Sequence, residues 1–189
     1  HRISALDNPA APLSHHLQDS THISYGVLTT GFAFDRGKIE GSIFNGREPD
    51  ENRETIDLGP LDSWAARLSL SPGANWTAQY SFAHLKKPEA LEQTNINRQT
   101  ASIAYNRPLA TGNWATALIW GRNHKVTPGS IQNSYLLESG LNFAHRNYAY
   151  TRLELVDKDE LFIDDHQDEH VAPSFRIGAF TFGGVRDLV

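Results

Sequence analysis

A chain of 189 residues is long enough for one domain with a real core, and nothing in it divides it into two. Its 17 Lys and Arg against 22 Asp and Glu give a net charge of -5, so it lacks the basic footprint that phosphate backbones require, and nucleic acid is not an expected partner. The chain contains no cysteine, which removes thiolate zinc sites and disulfide scaffolds.

No window approaches the roughly 18 consecutive apolar residues of a spanning helix. A membrane β-barrel stays open, because its strands show only alternate residues to lipid. The chain starts at His1-Arg2 without the charged start, apolar run and cleavage site of a secretory leader, and reads as a processed chain or a piece of a longer one.

Residues 1–21 read as a loop segment ahead of the first strand. Within it, SHHLQDSTH gathers His15, His16 and His22 around Asp19, a donor set that suits a borderline metal such as copper or zinc. The spacing matches no metal motif, and a solvated loop or a polar segment folded into a lumen is the favoured reading.

Nine segments with a period of two follow, at 23–34, 38–45, 63–71, 75–85, 99–106, 113–122, 134–143, 148–156 and 174–182. Two dissimilar faces recur in them. Trp64, Ala66, Leu68 and Leu70 oppose Ala65, Arg67, Ser69 and Ser71; Trp76, Ala78, Tyr80 and Phe82 oppose Thr77, Gln79, Ser81 and Ala83. Trp114, Thr116, Leu118 and Trp120 share a face, and Tyr135, Leu137, Leu141 and Phe143 oppose Leu136, Glu138, Gly140 and Asn142. Strand charges fall mainly on the polar face, as Lys38, Glu40, Arg67, Glu138, Arg152 and Glu154, which are the candidate lumen-lining residues. Aromatic residues gather near segment ends, among them Trp64, Trp76, Tyr105, Trp114, Trp120, Phe143 and Tyr148, where a headgroup boundary would suit them.

The connections alternate in length. Short turns at 35–37, 72–74, 107–112 and 144–147 alternate with long polar stretches at 46–62, 86–98, 123–133 and 157–173. Tight turns on one side and long loops on the other are the pattern of a transmembrane barrel. A soluble sandwich or lipocalin-like barrel with generous loops is the competing reading. The last long stretch carries Asp164, Asp165, His166, Asp168 and His170, dense enough in carboxylate to hold a hard cation, yet without the glycine-punctuated spacing of a calcium loop.

Catalysis has little support. Ser81 and His84 stand three apart in a strand and so point to opposite faces, and no nucleophile elbow, HExxH or phosphate-cradling loop occurs. The chain is not expected to be an enzyme.

With strands such as NWTAQYSFAHL and NWATALIWGR following the turns SPGAN and LATGN, the chain resembles Gram-negative outer-membrane β-barrel proteins of the porin-like kind, in a poorly characterised branch marked by HHLQDSTHISYGV, FNGREPDEN and LKKPEALE. The resemblance implies an all-β, antiparallel up-and-down meander over residues 1–189, forming a single transmembrane β-barrel domain in the bacterial outer membrane. Two departures stand out. The chain ends at Val189 and not on an aromatic residue, and nine strands is an odd number where bacterial single-chain barrels have an even one. The expectation is therefore a barrel of ten or more strands with at least one before His1 and room for more after Val189, or a barrel closed by eight. The expected function is a porin or small-solute and ion channel, with lipid bilayer and small solutes as partners and no cofactor beyond a loop-bound metal ion. The alternatives are a non-conducting surface barrel that binds copper or zinc through its histidines, and a soluble ligand-binding β-barrel.

Overall fold

Side chains that alternate between two media are best served by an extended backbone, whose successive Cβ atoms point to opposite faces. Each of the nine segments accordingly forms a strand in the structure, a computed structural model that describes residues 2–18, 25–48, 59–89, 94–127, 129–159 and 174–188. The strands are β1 (Tyr25–Phe34), β2 (Gly37–Asn45), β3 (Ser63–Gly73), β4 (Trp76–Leu85), β5 (Ile96–Leu109), β6 (Gly112–Lys125), β7 (Ile131–Phe143), β8 (Asn147–Lys158) and β9 (Phe175–Arg186). They make one antiparallel sheet in the order β1-β2-β3-β4-β5-β6-β7-β8-β9. Every strand pairs with its sequence neighbours, and β1 and β9 are the two edges, so the sheet is not closed.

Several strands are longer than the sequence pattern suggests, β5 and β6 most of all. β5 runs through Pro108 and β6 reaches Lys125. Pro108 is tolerated because Asn106 N–H donates to the Asn75 carbonyl, so alternation aims the position of Pro108 toward the same side, beyond the point where β4 begins. No ladder bond is lost there. The extension of β6 and β7 shortens the expected long connection at 123–133 to residues 126–130. Tight turns still alternate with longer connections, but this one is the exception in length. In the β7–β8 turn, Ala144 and His145 take φ of 49° and 63°, the positive values that let a short hairpin follow the strand twist.

The register separates the faces as the residue types suggest. Leu118 lies opposite Ile103 and Leu137, Leu137 opposite Leu153, and Leu153 opposite Phe180, an unbroken apolar row across five strands. On the same face Trp76 packs against Tyr105 at 4.7 Å and Tyr105 against Trp114 at 5.4 Å, centroid to centroid, beside the tight turns. Trp64 and Phe82, 5.5 Å apart, form a second aromatic contact near the other end of their strands. Pairs of this kind are worth about 0.5–1.5 kcal/mol beyond area burial. Tyr148 corrects the expectation for the aromatic residues: it stands opposite Asn142 on the polar face and borders Ile3, Leu6 and Asp7.

Among the described residues, the buried apolar side chains of the sheet lie on the polar face. One cluster joins Ala117, Ile119 and Leu136, with Ala104 packed against it; a second joins Phe44, Leu85 and Ile96. Residues 2–18, which include a 3-10 turn at Ile3–Ala5 and the short helix α1 at His15–Gln18, lie against β5, β6 and β7 and cover the first cluster.

Candidate functional site

Small residues make room for that cover. Ala115, Ala117, Gly121 and Gly140 occupy the polar face of β6 and β7, and a Cβ built on Gly121 would stand 2.5 Å from the Leu17 carbonyl oxygen. Gly121→Ala is therefore expected to lift α1 from the sheet at a cost of about 1–3 kcal/mol, the range for overpacking. Hydrogen exchange of the Leu17 and Gln18 amides, both bonded to the Ser14 carbonyl, should accelerate about tenfold or more. Gly41→Ala, whose new Cβ would meet nothing within 4 Å, should leave their exchange unchanged.

Charge then fastens the segment. Glu138 and Arg152, Cα partners across β7 and β8, form an ion pair at 3.2 Å with side chains only 1% and 2% exposed. Glu138 also accepts from Arg2 Nε at 2.6 Å and from the Ser4 hydroxyl at 2.8 Å. Arg152 Nη1 donates to the Ala10 carbonyl at 2.6 Å, and the Leu13 amide donates to Glu154 at 2.8 Å. Gln18 donates to the Ser134 hydroxyl at 3.1 Å. Arg2, Glu138 and Arg152 thus form one chain of ion pairs, and the Leu13 amide and Ser14 hydroxyl hold Glu154; buried charges that are paired and hydrogen-bonded in this way are the ones an interior tolerates. Near the tight turns, partial burial and then the neighbouring Asp187 hold the Asp7 carboxyl above the ordinary carboxylate range.

The six charged residues singled out in the sequence all project from this face, in two groups. Glu138, Arg152 and Glu154 are buried beneath the segment. Lys38, Glu40 and Arg67 lie on β2 and β3, away from it; Lys38 pairs with Glu40 at 3.0 Å, and Arg67 has no hydrogen bond or ion pair among the described residues. A cavity of about 330 Å³ opens here, lined by side chains from β1 through β5 and by Gln18. Arg98, which the strand boundary at 99 left out, borders the same cavity and donates to Asn123 at 2.8 Å.

The metal candidates separate differently. His15 and His16 sit in α1 with their rings edge to face at 4.1 Å, and His15 Nδ1 is 3.0 Å from the Pro12 carbonyl. His22 and Asp19 lie outside the described residues, as do Asp164, Asp165, His166, Asp168 and His170. Among the described residues no three His, Asp or Glu side chains come together as a metal site. Ser81 bonds to Thr100 at 2.7 Å on the polar face, whereas His84 bonds to Asn97 at 2.7 Å on the other, so the two do not meet.

Arg2, Ser4, Gln18 and Arg98 are the members of this face that strand periodicity did not reveal. Their partners are far along the chain; Arg2 and Glu138 are separated by 136 positions. The run of Ala and Gly on the polar face of β6 was the available signal, since small side chains in a row admit a close neighbour. No family model, curated protein or solved structure matches this chain.

Proposed function

We propose that the sheet is the wall of a transmembrane β-barrel in a bacterial outer membrane and that the protein acts as a porin or small-solute channel. The observation that carries this reading is the exposed apolar face. Leu118 is 51% exposed, Phe180 62% and Phe182 74%, and the apolar row reaches from β5 to the β9 edge. Nine strands spaced about 4.8 Å apart make a face roughly 38 Å wide, whereas soluble monomers rarely expose contiguous apolar patches above a few hundred Å². Water is a poor solvent for such a face, and hydrocarbon a good one.

The register supports a tilted wall. A row of paired residues that starts at Phe34, beside the first tight turn, passes through Gly37, Leu70, Ala78, Ile103, Leu118, Leu137 and Leu153 and ends at Phe180, well inside a strand that continues to Arg186. Such stagger is what strands inclined to a barrel axis require. Strands of 9 to 14 residues suit an inclined crossing of a band about 25 Å tall. The charges on the aromatic side, such as Arg107, Arg122 and the Asp157–Arg176 pair, sit at strand ends, where headgroups and water would receive them. On this reading the polar face bounds water, and residues 2–18 narrow the passage.

Two measurements test it. In vesicles containing brominated lipids, Trp76 and Trp114 fluorescence should be quenched, and in planar bilayers the protein should produce discrete conductance steps. Unquenched tryptophans would overturn the barrel. Quenched tryptophans with an electrically silent bilayer would keep the barrel and remove the channel.

A further inference from the structure

We infer that the cavity between Gln18 and β1–β5 binds a small aliphatic zwitterion of the amino-acid type. At about 330 Å³ it lies at the lower end of small-molecule sites, which run from about 300 to 1,000 Å³. Glu40, Arg67, Ser81 and Thr100 are successive Cα partners across β2, β3, β4 and β5 and form one row through it.

Two oxygen atoms and one guanidinium at the cavity have no hydrogen-bond partner among the described residues, and they are chemically complementary to one ligand. Glu40 Oε1 accepts from Lys38, but Glu40 Oε2 is buried and unbonded; Gln18 Oε1 is buried and unbonded as well. Two unmet acceptors call for a donor with several protons, and an ammonium group supplies three. Arg67 offers a planar fork with no acceptor, the geometry that takes a carboxylate by two parallel bonds. The remaining wall includes Val27, Phe44, Ala65 and Ala83, which suits a short apolar side chain. A simple anion would satisfy Arg67 and leave both acceptors dry, and a simple cation would face Arg67 and Arg98. One molecule bearing both charges meets all three needs.

The inference deepens the channel reading by naming a solute class, and takes from it only that this face meets water. The test is calorimetry on the full chain in detergent micelles, with L-alanine, L-lactate (hydroxyl in place of ammonium) and ethylamine (no carboxylate). L-Alanine should bind saturably, the other two at least tenfold more weakly. Arg67→Gln and Glu40→Gln should each weaken L-alanine at least tenfold, and Arg67→Lys less. Circular dichroism serves to show that each variant retains its strands; a variant that loses them is replaced by Gln79→Trp, whose bulky ring narrows the cavity and should weaken L-alanine in the same way. No saturable binding of L-alanine, equal binding of L-lactate, or binding indifferent to these variants would overturn the site. The readout needs no conduction, so a protein that binds L-alanine yet stays silent in bilayers defeats the channel and leaves the site standing.

Discussion

Leu118→Arg is expected to prevent stable insertion, while Gln79→Arg inserts normally. Leu118 stands between Ile103 and Leu137 in the middle of the exposed apolar row, so a guanidinium there has no paired neighbour with an acceptor side chain. If that row faces hydrocarbon, the cost is about 2–4 kcal/mol at midplane depth, enough to consume a large part of ordinary folding stability. Gln79 lies on the opposite face, at the edge of the cavity that holds Glu40, where water and a carboxylate receive a new cation. Refolding into vesicles, followed by denaturant titration, measures both variants. The first should lose most of its folded fraction and the second little. Equal loss in the two would mean that the faces have been assigned to the wrong media, and a soluble, detergent-free monomer for the unsubstituted chain would point the same way.

How far the sequence reveals this architecture depends on the length scale of the signal. Period-two alternation is local, so the segregation of Trp76, Leu118 and Leu137 from Gln79, Glu138 and Arg152 can be read from neighbouring residues, and the register then places them as that pattern requires. Boundaries are less legible. Pro108 and the charged Arg98 and Lys125 look like loop residues, yet Pro108 sits past the end of its neighbour strand, and the two cations find Asn123 and Asp159. Gly183 and Gly184 similarly suggest that the last strand stops at 182, but residues 183–186 pair with Tyr150, Ala149, Tyr148 and Asn147 of β8, and Gly183 is the residue that leaves room for the Tyr150 ring. Least legible is the cover over the polar face. Its hydrogen bonds join residues 2–18 to strands more than a hundred positions away, and no periodicity within RISALDNPAAPLS encodes Glu138 or Glu154 as partners.

Glu138→Ala is expected to destabilise the protein by about 3–5 kcal/mol, because it leaves Arg152 buried at 2% exposure without its carboxylate. The same substitution removes the acceptor for Arg2 and Ser4, so residues 2–18 should detach at their beginning; the bonds from Leu13 to Glu154 and Gln18 to Ser134 would remain at the other end. A paired variant separates the two effects. Glu138→Leu with Arg152→Met replaces both charges by apolar groups of similar volume, which often costs nothing or even stabilises, so denaturant midpoints should return toward that of the unsubstituted chain. The anchoring would stay lost, since Arg2, Ser4 and the Ala10 carbonyl all bond to the two removed side chains. Hydrogen exchange at Ala5 and Leu6, whose amides bond within the 3-10 turn, should therefore be fast in both variants. On the channel reading, both should also conduct more than the unsubstituted protein, because the segment that narrows the passage is released. Slow exchange in the double variant would show that apolar packing on Ala117 and Leu136, and not the ion network, holds the segment in place.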